Sequence, residues 1–152
     1  MSPRAAWRLQ SLGFAEIYDY VAGKADWLAN GLHTEGTAAD SSRIGAKAHR
    51  DTPTCHLDET VGEAARRAAD AGYDHCVVVN DVGVVLGILE STALREHAEG
   101  RAEDVMRSGP STFRPNTSVD ELRNVLAKGR FHRALVTKPD GRLVGMVFAD
   151  EL

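Results

Sequence analysis

Apolar and polar positions along the chain fall into two matching series. In the first, an extended stretch at 54–57 precedes a run with apolar residues at Val61, Ala64, Ala65 and Ala68. That spacing keeps one face of a helix apolar and predicts an amphipathic helix. Two apolar runs follow, 76–79 and 84–89, separated by Asn80-Asp81-Val82-Gly83. The separator has residues suited to turn dihedrals, so the pair predicts a β-hairpin. Both strands are apolar on both faces, as strands covered from two sides should be. A helix over roughly 91–98 closes the series. The order recurs from Thr112: an extended stretch, then a helix with Val119, Leu122, Val125 and Leu126. Strands at 134–137 and 142–148 follow, around the turn Lys138-Pro139-Asp140-Gly141.

The two series are related by a gap-free shift of 58 residues. Val61 falls on Val119, Glu63 on Glu121, Val78 on Val136, Gly83 on Gly141, Gly87 on Gly145 and Leu94 on Leu152. Each predicted helix opens with a capping box, Thr60 with Glu63 and Ser118 with Glu121. In such a box the hydroxyl accepts an N–H of the first turn and the glutamate reaches back to the cap. Gly72 and Gly129 stand where the helices stop. Each repeat therefore reads β-α-β-β-α, with the last helix of the second clipped at Leu152. A repeat of this size buries little core alone, so the two should pack as one unit. The fold class is α+β.

Residues 102–106, Ala-Glu-Asp-Val-Met, and the hairpin segments 82–89 and 140–147 resemble the CBS family (cystathionine β-synthase motifs). The resemblance covers about residues 44–152. It implies a pseudo-two-fold pair of repeats whose strands meet around two clefts. It further implies binding of an adenosine-containing ligand, with AMP, ADP, ATP or S-adenosylmethionine as candidates. Such pairs also dimerise, and Ala64, Ala65, Ala68 and Ala69 would permit close helix approach between copies.

The N-terminal residues read differently. Ser2 and Pro3 suit a helix start, Gly13 ends that helix, 14–21 reads as a strand, and 23–31 as a turn and short helix. Leu12-Gly13-Phe14, Tyr18, Val21-Ala22-Gly23 and Asp26-Trp27 resemble the C-terminal end of a rhodanese-like sulfurtransferase domain, over about 2–36. In that family the nucleophilic cysteine precedes the helix that here begins at Ser2, so a non-catalytic fragment is expected. A sulfurtransferase remnant would require a start further upstream. Cys55 and Cys76 fall in predicted strands of the first repeat and read as buried apolar cysteines. The expected organisation is 1–36 rhodanese-like fragment, 37–43 linker, 44–98 first CBS motif and 99–152 second. The apolar faces of 1–36, with Trp7, Leu9, Leu12, Phe14, Trp27 and Leu28, are expected to cover the place of the missing last helix over Leu143, Met146 and Val147, in the same chain or across a dimer, with a flexible tail as the rival.

Composition narrows the function classes. The net charge of −4 is uneven, because residues 101–152 carry nine Lys/Arg and seven Asp/Glu while the first hundred carry nine and fifteen. The basic half favours an anionic ligand. No basic stripe with interleaved aromatics marks a nucleic-acid surface. No apolar run approaches the ~20 residues of a membrane span, and no signal peptide is evident, so a cytoplasmic setting is expected. No His, Cys or carboxylate spacing suggests a metal, no catalytic residue is assigned, and no cofactor is required.

The resemblance also implies a ligand device after each hairpin glycine: two apolar residues, Ser or Thr, two more residues, then Asp. After Gly87 the hydroxyl position is Glu90 and the acid position Ala93. After Gly145 they are Phe148 and Glu151. The second repeat thus keeps one carboxylate, and the expected site is Thr112, His132, Ala134 and Glu151, with Glu151 toward a ribose. Glu90 would repel a phosphate at the other site. Arg107, Arg114, Arg130 and Arg133 are candidates to balance ligand charge. The expected role is a non-enzymatic regulatory module acting on an enzyme or transporter. A ligand-free dimeric scaffold is the alternative.

Overall fold

The computed structural model describes residues 3–36, 43–129 and 131–152. Ser2, Arg130 and all of the expected linker except Arg43 lie outside the described residues. Two short sheets face each other. In the first, β1 (Thr54–Cys55) runs parallel to β2 (Cys76–Val79), and β2 pairs antiparallel with β3 (Val85–Leu89). In the second, β5 (Thr112–Phe113), β6 (Arg133–Thr137) and β7 (Leu143–Phe148) repeat that arrangement. The fold is α+β, as the two series of elements predict.

A further strand, β4 (Arg107–Ser108), shows how the halves are joined. It leads into the second repeat, yet it pairs with β3 of the first, Ile88 opposite Arg107. Fifty-eight residues earlier His49 leads into the first repeat and bridges Met146 on β7 of the second. The exchange extends outward: Arg101 bridges Thr60, and Arg43 bridges Ser118. Ala102 and Ile44, which follow those arginines, are fully buried, each in the core of the other repeat. Each lead-in segment therefore completes its neighbour. Close approach requires glycine at the crossing points. A Cβ on Gly145 would collide with the His49 carbonyl, and one on Gly87 with the Met106 side chain.

The helices cover the outer faces. α3 (Val61–Asp70) starts at Thr60, whose hydroxyl accepts from Glu63 N while the Glu63 carboxylate accepts from Thr60 N, a complete capping box. It buries Val61, Ala64 and Ala68 beside Leu89, Leu94 and Ala102. α4 (Ser91–Glu96) and α5 (Ala102–Val105) close that side. On the second repeat, α6 (Val119–Gly129) buries Val119, Leu122 and Leu126, and Ser118 Oγ accepts from Glu121 N at 3.1 Å. Val125, expected on the apolar face, is partly exposed at a cleft. Between the sheets lies a third apolar layer, Val77, Val79, Ile88, Leu135 and Met146, in which Leu135 and Met146 are the repeat counterparts of Val77 and Ile88. A fully buried Val, Leu or Met is worth about 1.5–3 kcal/mol, so this layer joins the repeats.

The hairpin turns tie the same joint. Gly83 N donates to Asn80 O at 2.8 Å and Gly141 N to Lys138 O at 2.9 Å, both glycines in the left-handed region. The tips then brace each other, Val85 N to Gly141 O and Leu143 N to Gly83 O. Cys55 and Cys76 are free and buried on adjacent strands. Cys55 and burial push the Cys76 thiol well up, away from thiolate.

The N-terminal segment forms helices α1 (Pro3–Ser11) and α2 (Gly23–Ala29). The strand expected over 14–21 does not form, and Phe14, Tyr18 and Val21 are exposed. A strand needs a neighbour for its backbone N–H and C=O groups, and this stretch joins neither sheet. The expected cover over the clipped end is met in part. Ala29 is buried with Ile44, Val119, Leu122 and Val147. Asp26 pairs with Lys138 at 3.1 Å, and Arg50 Nη1 donates to Ala29 O at 2.7 Å. Met146 and Leu143, however, are covered by the opposing sheet, and Trp7, Leu12 and Phe14 stay exposed. Ala149–Glu151 forms a single 3-10 turn.

Two outcomes follow from this packing. Gly145→Ala is expected to destabilise the fold by about 1–3 kcal/mol, because the His49 backbone must retreat; urea denaturation measures it, and an unchanged midpoint contradicts the exchange argument. Deletion of residues 1–40 is expected to lower the melting temperature by uncovering the core around Ile44 and Val119. An unchanged melting temperature and solubility would show that α2 contributes nothing.

Candidate functional site

The exchange of lead-in segments creates two clefts, each walled by both repeats. Around the first stand Arg107, from the lead-in of repeat two, and Phe131, Arg133 and Ala134, from the start of β6. Ile88 of repeat one, with Leu135 and Met146, forms an apolar floor, and the cavity holds ≈ 160 Å³. Around the second stand the repeat counterparts His49, Tyr73 and His75, with Asp51, Asp74 and Phe148, and the cavity holds ≈ 380 Å³. One backbone plan therefore carries two chemistries. Arginines line the first cleft where histidines line the second.

In the first cleft both arginines converge on one carboxylate. Arg107 Nη2 donates to Glu90 Oε1 at 2.9 Å, and Arg133 Nη2 donates to Glu90 Oε2. Arg133 Nη1 also approaches Asp74 Oδ1 at 3.8 Å. Glu90 lies between β3 and α4, where its side chain caps no N–H. Repulsion of phosphate by Glu90, expected from sequence, thus has a second component: Glu90 holds the cations a phosphate would use. Arg114 is committed elsewhere, donating to the Lys138 carbonyl at 2.8 Å and to Thr137, and Arg130 lies outside the described residues.

The second cleft is acidic and aromatic. Tyr73 donates its hydroxyl to Asp51 Oδ1 at 2.9 Å. Burial and that carboxylate push the Tyr73 phenol up to about 12. His75 is fully buried, its Nδ1 2.7 Å from Asp74 Oδ1, and its Nε2 has no partner among the described residues. Desolvation holds the His75 imidazole below the ordinary histidine range despite Asp74, and the His75 bond holds Asp74 below the usual carboxylate range. His49 and Phe148 meet edge to face, and His49 Nε2 lies 2.5 Å from Glu151 Oε2.

The four residues singled out in the sequence do not share one cleft. Ala134 lines the first. Thr112 sits on β5 opposite Leu135, and the exposed His132 accepts at its carbonyl from Ala149 N. Glu151 belongs beside His49 at the second cleft. The cause is the exchange: a cleft takes its post-hairpin residues from one repeat and its strand start from the other. Sequence reasoning named Arg133 and Arg107 as charge-balancing candidates but missed Phe131, Tyr73 and His75. The signal for them was available in the repeat itself, since the shift of 58 aligns Tyr73 with Phe131 and His75 with Arg133. Of the small residues expected to contact a second copy, Ala64 and Ala68 are buried in their own core. Among the described residues no helix is long and apolar enough to cross a membrane, and no group of three or more His, Cys, Asp or Glu is placed to hold a metal.

Comparison with known proteins places this geometry. None of the curated proteins compared matches the sequence. Among solved structures, the cytosolic domain of the Mg2+ channel MgtE in complex with ATP matches with a TM-score of 0.68 and 23% identity, over 83% of this chain and 50% of that one. The CBS domain pair of protein MJ0100, in complex with 5'-methylthioadenosine and S-adenosyl-L-methionine, matches with a TM-score of 0.64 and 20% identity, over 72% of this chain and 94% of that one. Protein MJ1225 from Methanocaldococcus jannaschii, a putative archaeal homolog of g-AMPK, matches at 0.64 and 18%, over 74% and 46%. The chain spans about half the length of the MgtE domain it matches. At these identities the likeness shows the fold. The CBS domain family model matches twice, at residues 44–100 and 102–152, and the chain therefore belongs to the CBS domain family, with its two motifs packed as a pair.

Proposed function

We propose that this chain is a non-enzymatic regulatory module that binds an adenosine-containing ligand in the first cleft between its two CBS motifs. The observation that carries this reading is the convergence of Arg107 and Arg133 beside an apolar cavity floored by Ile88, Leu135 and Met146. A flat base would fill the apolar part, with Ala134 leaving it room and Phe131 offering a ring to stack on. Arginine forks would take a phosphate or carboxylate. Thr112, on β5, and His132, just before β6, are the further contacts assigned to it. Glu151 is assigned as a ribose acceptor in the second cleft, where a ligand would first have to draw it from His49. Structures similar to this chain were obtained with ATP and with S-adenosyl-L-methionine, which supports this class of ligand.

The remaining assignments follow the same reading. The module would act in the cytoplasm, as a homodimer, on an enzyme or transporter; the likeness to the soluble part of a magnesium transporter favours the latter. Residues 1–36 would be a non-catalytic, rhodanese-like appendage joined by the 37–43 linker, with α2 bracing the second motif. A second reading, a ligand-free scaffold, is favoured by one observation: Glu90 already occupies both arginines.

Calorimetry with AMP, ADP, ATP and S-adenosylmethionine separates the two. Binding of an adenosine compound that Arg133→Ala weakens by about tenfold or more, the size of a lost charge-assisted bond, is the expected result. Heat from none of the four, with the protein folded, would leave the scaffold reading in place.

A further inference from the structure

We infer that Glu90 is an internal competitor for the ligand's anionic group, so that a ligand carrying phosphate must displace it from both arginines while a neutral nucleoside leaves it in place. This rests on the ligand-binding reading above and adds to it a built-in threshold against anionic ligands. Glu90 stands between the only two guanidinium groups that line the cavity among the described residues, with one oxygen for each: Oε1 to Arg107 and Oε2 to Arg133. That is how a phosphate would span the same two forks. The counterpart of Glu90 in the other repeat is Phe148, which bears no charge. The competing carboxylate is therefore a feature of one cleft and not of the fold.

Charge accounting gives the direction. With Glu90 in place, Arg107 and Arg133 are balanced by Glu90 and by Asp74, so the arriving ligand meets no net positive charge. An uncharged nucleoside cannot replace the carboxylate and would leave its ion pairs intact. A phosphate replaces it at both arginines at once, and the freed Glu90 turns to solvent, being already partly exposed. Half-exposed ion pairs are individually weak, so the barrier is small enough for a multiply charged ligand to overcome. Displacement also acts on the chain, because Glu90 immediately precedes α4, which packs on α3. Ligand occupancy and the position of that junction are thereby linked.

The test compares the wild-type chain with Glu90→Gln, using calorimetry with ATP, adenosine and inorganic pyrophosphate as probes. Glu90→Gln is expected to bind ATP and pyrophosphate roughly three- to tenfold more tightly, the gain from two weak pairs no longer competing, and to leave adenosine unchanged. Glu90→Ala should reproduce the gain, which separates loss of charge from a new amide contact, and melting curves confirm that both variants fold. Equal affinities of wild type and both variants for pyrophosphate and ATP would overturn the inference while leaving nucleotide binding intact. Tighter pyrophosphate binding in the variants with no ATP or adenosine binding would uphold Glu90 as the competitor and sink the adenosine reading. Absence of pyrophosphate and ATP binding from all three proteins would overturn both.

Discussion

The structure depends on a close backbone crossing at Gly145. There the lead-in to the first motif lies against the last strand of the second, with His49 N donating to Met146 O at 2.8 Å and Met146 N to His49 O at 3.2 Å. A side chain at Gly145 would occupy the space of the His49 carbonyl. The same crossing recurs at Gly87, against Met106. Because each motif is completed by a segment that belongs in sequence to its neighbour, neither has a closed core without the other. The shared apolar layer of Val77, Ile88, Leu135 and Met146 then has somewhere to form.

The two cores solve the same packing problem with different side chains. In the first, α3 presents Ala64 and Ala68, and the space is filled from around it by Leu94 of α4 and by Met106 and Tyr73 at the margins. In the second, α6 presents Leu122 and Leu126 at the corresponding positions, and a 3-10 turn, Ala149–Glu151, follows β7. The larger helix residues fill more of that core from α6 itself. Ala29 of α2 and Leu152 supply more, held by the Lys138–Asp26 pair, in which the Tyr20 hydroxyl bond and Lys138 hold the Asp26 carboxyl below the usual range. Close packing makes this trade of volumes necessary, since an unfilled void forfeits contacts outright.

The elements of the fold were legible because the chain states them twice. Turn residues, capping boxes and apolar spacing recur at one offset, so a weak signal in either half is confirmed by the other, and the hairpins lie where Gly83 and Gly141 put them. The exchange of lead-in segments was not legible. Nothing in the local pattern around His49 or Arg107 says which of two similar sheets it will join. That single ambiguity set Glu151 with Ala134 in the expected site, although Ala134 lines the first cleft and Glu151 lies beside His49 at the second. The segment over 14–21 failed for a related reason: its apolar spacing suits a strand, but strand formation needs a partner edge that local sequence does not report.

A symmetric backbone with asymmetric side chains explains why the clefts differ in charge. The duplication fixes where four positions sit around each cleft. In one, Arg107, Phe131 and Arg133 line the cleft and Glu90 bonds both arginines; in the other, the counterparts are His49, Tyr73, His75 and Phe148. Glu90 reaches across to Arg133, a residue of the opposite motif, which in turn approaches Asp74. Asp74 is bonded to buried His75 at the second cleft. A chain of ionic contacts therefore runs from one cleft to the other through Arg133, on β6. Any group that changes the partners of Arg133 alters the field at Asp74, and thus the balance that keeps His75 neutral, since burial already disfavours its charged form. The two clefts are separate in chemistry but share one cation.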